Sequence, residues 1–174
     1  MNNRIKRYAF KHICVLAVCA IITVSCATAP SSGSQTGASQ QQQVGRDARQ
    51  RIYVAHLRAE GYTPTIDDDG YISFKREGYT YYIYIDSTDP SFLFIQLPTI
   101  KTINSDADMI RAADAISYAN RRTKVAKAYI AGSPDQWVSI GAEAFLENPD
   151  HFAVLFGRLM TGISAAKENF ESNM

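Results

Sequence analysis

The chain has 174 residues, with 18 basic and 17 acidic side chains, three cysteines and 46% hydrophobic residues. That length suits one modest domain with one core, and the near-balanced charge lacks the basic footprint of a nucleic-acid-binding protein. Three cysteines in a chain of this size exclude a densely disulfide-bonded scaffold.

Arg4, Lys6, Arg7 and Lys11 form a basic start, and an apolar run, ICVLAVCAIITV, follows from Ile13 to Val24. Its 12 residues fall short of the roughly 20 that cross a bilayer, but they suit the apolar region of a secretory signal. The next residues, Val24-Ser25-Cys26-Ala27, resemble a bacterial lipobox, with Thr23 standing where an aliphatic residue is usual. The resemblance implies that residues 1–25 are a signal peptide and that Cys26 becomes the lipid-modified first residue of the mature chain. Two or more acyl chains would anchor it stably in a membrane. The alternative is ordinary cleavage after Ala27-Thr28-Ala29, which Pro30 disfavours. Loss of the leader removes Cys14 and Cys19 and leaves Cys26 as the sole thiol. It also leaves 14 basic against 17 acidic side chains, a net charge of −3.

Residues 26–45 are rich in Ser, Gly, Gln and Ala, without charge or aromatic side chains, and read as a flexible tether with a reach of about 25 Å. Residues 46–174 read as one domain. Arg46 to Glu60 has helical spacing, with Ala48, Ile52, Ala55 and Ala59 on one stripe and Gly61 as terminator. Three strands follow at Tyr71–Arg76, Tyr79–Asp86 and Phe92–Leu97, separated by the turn signals Glu77-Gly78 and Ser87-Thr88-Asp89-Pro90. A second helix starts near Ser105, which is spaced with Asp108 like a capping box, carries Met109, Ala113 and Ile116, and ends near Asn120. Lys124–Ile130 and Gln136–Ala144 are two further strands around Gly132-Ser133-Pro134-Asp135. Asn148-Pro149-Asp150 then opens a long helix with Phe152, Phe156, Leu159, Ile163, Ala166 and Phe170 in one stripe. The order α-β-β-β-α-β-β-α, with short turns between strands, predicts an α+β domain: an antiparallel sheet with packed helices.

Four stretches carry a family resemblance: Glu60-Gly61-Tyr62, Asp69-Gly70-Tyr71-Ile72-Ser73-Phe74, Tyr79-Thr80-Tyr81-Tyr82-Ile83-Tyr84, and Asn120-Arg121-Arg122-Thr123-Lys124-Val125-Ala126-Lys127. With the element order, they resemble the YbjN family over nearly all of residues 46–174. The resemblance implies a type III secretion chaperone-like fold. It also implies a role of sensory-transduction regulator type, in a fold whose relatives bind proteins as dimers.

Motifs with chemical potential have bland readings. Asp67-Asp68-Asp69-Gly70 suggests a calcium loop, but the aligned first and twelfth positions are Thr65 and Arg76, so a solvated turn is expected. His56 and His151 have no metal-site spacing, and no metal or cofactor is expected. No serine lies in a nucleophile elbow and no glycine-rich phosphate loop occurs. The basic cluster Arg121, Arg122, Lys124 and Lys127 suits the negative end of the second helix, with anionic lipid or an acidic partner as the other reading.

Strand alternation places Ile72, Phe74, Tyr81, Ile83 and Ile85 on one sheet face and Tyr71, Tyr82 and Tyr84 on the other, joined by Tyr129 and Trp137. The second face is either covered by the middle helix or open to a protein partner or a second copy. The expected function is a lipid-anchored envelope protein with a non-catalytic, chaperone-like or regulatory binding domain. It would touch the membrane through Cys26 and no nucleic acid. The alternatives are an envelope hydrolase in which Asp86, Asp89, Glu143 and Glu147 converge on a pocket, and a purely structural lipoprotein.

Overall fold

A computed structural model of the chain describes residues 35–174, with side chains from residue 45 onward. The leader 1–25 and Cys26 lie outside the described residues. Helix α1 spans Gln35–Ala59, so it begins ahead of the expected start at Arg46 and takes in the second part of the tether segment. That part holds no proline, and glutamine is among the better helix formers. The buried stripe also differs from the expected one. Gln50, Tyr53, Val54 and Leu57 face the core, while Ala55 and Ala59 are exposed. Burying large apolar groups gains more than burying alanines, so the rotation follows the bulkier set. The helix ends as expected: Gly61, at φ 87°, donates its N–H to Arg58 and Tyr62 donates to Leu57, a Schellman arrangement. The Tyr62 ring then packs on Phe74 and Phe156.

Six strands make one antiparallel sheet in the order β1-β2-β3-β4-β6-β5. They are β1 Thr65–Ile66, β2 Ile72–Arg76, β3 Tyr79–Ile85, β4 Phe92–Ile103, β5 Ala126–Ala131 and β6 Gln136–Phe145. β1 is an addition to the five expected strands; with two residues, Thr65 opposite Ser73 and Ile66 opposite Ile72, it is too short to show a period. β4 runs past the expected end at Leu97, through a bulge between Leu97 and Lys101 where Thr99 adopts φ 52°. Pro98 lacks an N–H for the ladder, and a bulge is where a strand tolerates that.

Helix α2, Asp106–Arg122, starts at the Ser105 cap, whose side chain accepts from the Asp108 N–H. Its buried residues are Ala112, Ala115 and Ala119 rather than Met109, Ala113 and Ile116. Small side chains let α2 lie close against helix α3, Phe152–Glu171, and against β5. A 3₁₀ turn, Pro149–His151, capped by Asn148, leads into α3. All six expected stripe residues of α3 are buried, together with Met160.

The three helices contribute to one hydrophobic cluster with a single face of the sheet. That face carries Ile72, Phe74, Tyr81, Ile83, Ile85, Leu93, Ile95, Leu97, Val138 and Ile140. Its alternation on β2 and β3 matches the expected one. Among the described residues no helix is long and apolar enough to cross a membrane.

Candidate functional site: the aromatic sheet face

With all three helices on one side, the other side of the sheet is lined by its own side chains. Helix α2 does not cover it, since its buried alanines point into the shared core. Each strand places side chains there by alternation: Tyr71 just before β2, Tyr82 and Tyr84 on β3, Phe92, Phe94 and Gln96 on β4, Tyr129 on β5 and Trp137 on β6. All eight are partly buried.

The rings form a connected sheet-top layer. The Tyr71 and Tyr84 centroids lie 4.4 Å apart, Tyr82 and Tyr84 6.3 Å, Tyr84 and Phe94 5.6 Å. Gly141 is what lets Phe94 lie flat. A Cβ there would come within 2.2 Å of the Phe94 ring, so the ring occupies the space a side chain would fill. At the far end Trp137 crosses Gly132 in the same way, with the virtual Cβ 2.4 Å from the indole.

A short polar chain crosses this layer. The Tyr84 hydroxyl donates to Gln96 Oε1 at 2.8 Å, and Gln96 Nε2 donates to the Tyr129 hydroxyl at 2.6 Å. Burial raises the pKa of both hydroxyls above the ordinary tyrosine value, so both stay neutral through the physiological range. Tyr84, Gln96 and Tyr129 are thus bonded to one another, with ring surface around them. Such a surface suits shape-matched, largely apolar contact.

Of the five residues expected on this face, Tyr71, Tyr82 and Tyr84 meet through their rings, Tyr129 joins through Gln96, and Trp137 lies over Gly132. Phe94 and Gln96, which connect the others, were not anticipated. The alternation in Phe92–Leu97 carried the signal, because Leu93, Ile95 and Leu97 are the core set and Phe92, Phe94 and Gln96 their complement.

The acidic candidates are held in turns. Asp86 Oδ1 accepts from the Thr88 N–H, the Thr88 hydroxyl and the Asp89 N–H, and these bonds, the Thr88 hydroxyl foremost, hold its carboxyl below the usual range. Asp89 Oδ1 likewise accepts from the N–H and hydroxyl of Ser91. Glu143 lies on the aromatic face opposite Phe94, and Glu147 follows β6. None of the four lines the groove beside the end of β6, which is bounded by Phe145, Leu146, His151, Val154, Leu155 and Arg158. In the Asp67–Gly70 segment, Asp67 Oδ1 accepts from the N–H groups of Asp69 and Tyr71, and Gly70 turns at φ 80°. Among the described residues no cluster of acids, histidines or cysteines has the makings of a metal site. His56 packs edge-on against Phe152 and Phe156, and His151 is exposed at the 3₁₀ turn.

The basic cluster divides. Lys127 Nζ donates to the carbonyls of Asn120 at 3.1 Å and Thr123 at 2.7 Å and caps the end of α2. Arg122 lies over the Tyr118 ring at 4.6 Å. Asn120 pins the outer edge of β5. Its amide donates to the Ala128 carbonyl at 3.0 Å and accepts the Ala128 N–H at 2.8 Å.

No protein-family model matches the chain, and no curated protein matches it by sequence. Among solved structures it is similar to the crystal structure of YbjN from E. coli, described as a candidate transcription regulator. The TM-score is 0.54 at 13% identity, over 71% of this chain and 90% of that one. At that identity the likeness is one of fold. The chain has a YbjN-like α+β fold, as its element order and its four matching stretches implied.

Proposed function

We propose that this chain is a non-catalytic binding module, held at the bacterial envelope by lipid on Cys26, that docks a protein partner on its aromatic sheet face. One observation carries the reading: all three helices pack on one side, and the other side keeps a layer of half-buried rings crossed by the Tyr84–Gln96–Tyr129 hydrogen-bond chain. The partner is a protein rather than a nucleic acid, since the centre of the face offers neutral hydroxyls and rings instead of cations that would neutralise phosphates. The description of the similar fold as a transcription regulator fits a module that works by binding, and the carboxylates of Asp86 and Asp89 are each engaged within their own turn.

A photo-activated cross-linker at Tyr82, compared with one at exposed Asp114 on α2, tests the docking surface in intact cells. A defined protein adduct is expected from position 82 alone. Equal adducts from both positions, or none from either, would remove the aromatic face from the proposal. The anchor is tested separately: radioactive fatty acid should label the chain and be lost in Cys26→Ser.

A further inference from the structure

β5 is shorter than its neighbour. It pairs with β6 from Ala131 opposite Trp137 to Ala126 opposite Ala142, while β6 continues to Phe145. Along Glu143–Phe145, no described strand lies on the β5 side. The phase of the ladder says which main-chain groups face that vacancy. Leu146 donates its N–H to Ser91 on the β4 side, and Ala128, opposite Ile140, turns its N–H and carbonyl away from β6 to Asn120. Alternation then directs the N–H and carbonyl groups of Phe145 into the vacancy, while those of Glu143 face Val125, the next residue in the register.

The vacancy is a groove of about 510 Å³, within the range that suits small ligands and short peptides. Its walls include the two most exposed large apolar side chains among the described residues, Phe145 at 71% and Val154 at 68%. Charge along it is polar. Glu147 and Asp150 flank the end where α3 begins. Arg158, with no ion pair among the described residues, stands two helical turns further on. Gly162, one turn beyond Arg158, packs on Val125 and Ala126 and marks where β5 begins.

We infer that this groove takes the C-terminal tail of a partner protein as a short strand added to β6. An antiparallel guest prolongs the line of β5, and it must stop where Val125 blocks the way. Its terminal carboxylate then falls at Arg158, and its apolar side chain between Phe145 and Val154. Main-chain bonds supply affinity, and the apolar pocket with the cationic stop supplies selection. The site borders the aromatic face at Phe145, whose ring lies 5.4 Å from that of Phe92, but its main-chain bonds and its cation do not depend on docking there.

The test is selection of displayed random heptapeptides with free C-termini on the full chain, followed by anisotropy titration of the selected peptides. Enrichment of an apolar residue within the last three positions is expected, as is added hydrogen-exchange protection at the Phe145 amide. Amidating the C-terminus, or the change Arg158→Gln, should weaken binding about tenfold, the scale of one charge-assisted contact. Val154→Glu, at an exposed position, should abolish binding without loss of fold, while Tyr82→Ser should leave it unchanged. Selection of no motif, equal binding by acid and amide, or undiminished binding to Val154→Glu would each overturn the inference. So would protection of the Phe145 amide by a second copy of the chain in the absence of peptide.

Discussion

Asn120 satisfies at one position of β5 what a neighbouring strand would satisfy along the edge. An exposed edge strand invites pairing with other chains, and proteins blunt such edges by covering them. Here the cover is one amide bonded to both main-chain groups of Ala128, whose residue is 2% exposed. Asn120→Ala should therefore lower stability by about 1–3 kcal/mol in a urea titration, the cost of leaving buried polar groups unmatched. It should also raise self-association at high concentration. Asn120→Asp restores the acceptor but not the donor, so it should recover part of the loss. Gly141 makes a second single-residue demand. Gly141→Val would drive the Phe94 ring off the sheet, and we expect a loss of about 1–3 kcal/mol from overpacking, together with changed near-ultraviolet circular dichroism. The resemblance stretch from Asn120 to Lys127 is explained by these contacts: Asn120 holds the edge, Thr123 follows the helix as its cap, and Lys127 closes the helix end.

At the scale of elements, the helices show how far spacing alone reaches. α3 was legible because large apolar side chains recur at one spacing with few competitors, and every one of them is buried. Ile163→Ala, at a fully buried position of that stripe, should cost about 2–5 kcal/mol by thermal or urea unfolding. α1 and α2 were legible as helices, with their caps, but not in their facing. Each offers more than one apolar stripe. In α1 the bulk of Tyr53 and Leu57 decides, and in α2 the close approach to α3 favours the alanines. The strands were legible on both faces where alternation was strict. β1 and the extension of β4 past Pro98 were not, because two residues hold no period and a bulge interrupts one.

For the whole molecule, the segregation of the helices has consequences for pH. Asp86 has its pKa lowered by its bonds to Thr88 and Asp89, so its stabilising share is present above the ordinary carboxylate range and is lost as pH falls through it. Tyr84 is raised by burial, so its share is present below about pH 10, the ordinary tyrosine value, and is lost as pH rises beyond it. The urea midpoint should accordingly decline on both limbs. Tyr84→Phe should flatten the alkaline limb, and Asp86→Asn the acid limb. A profile unaffected by either variant would mean that these two groups are not the ones that titrate.

The division of labour between sequence and structure is visible on the sheet. Alternation on β2 and β3 by itself determined that one face is buried and the other aromatic, because adjacent side chains of a strand must point to opposite sides. The element order by itself determined an antiparallel α+β fold. Only the tertiary structure decided that α2 joins α1 and α3 on the same side, which leaves the aromatic face to the sheet's own side chains. It also decided that β5 stops short of β6 and opens a groove there. Neither outcome is encoded in a local period. Both depend on which stripe of a helix buries more surface against the rest of the fold, and that is a property of residues far apart in the chain.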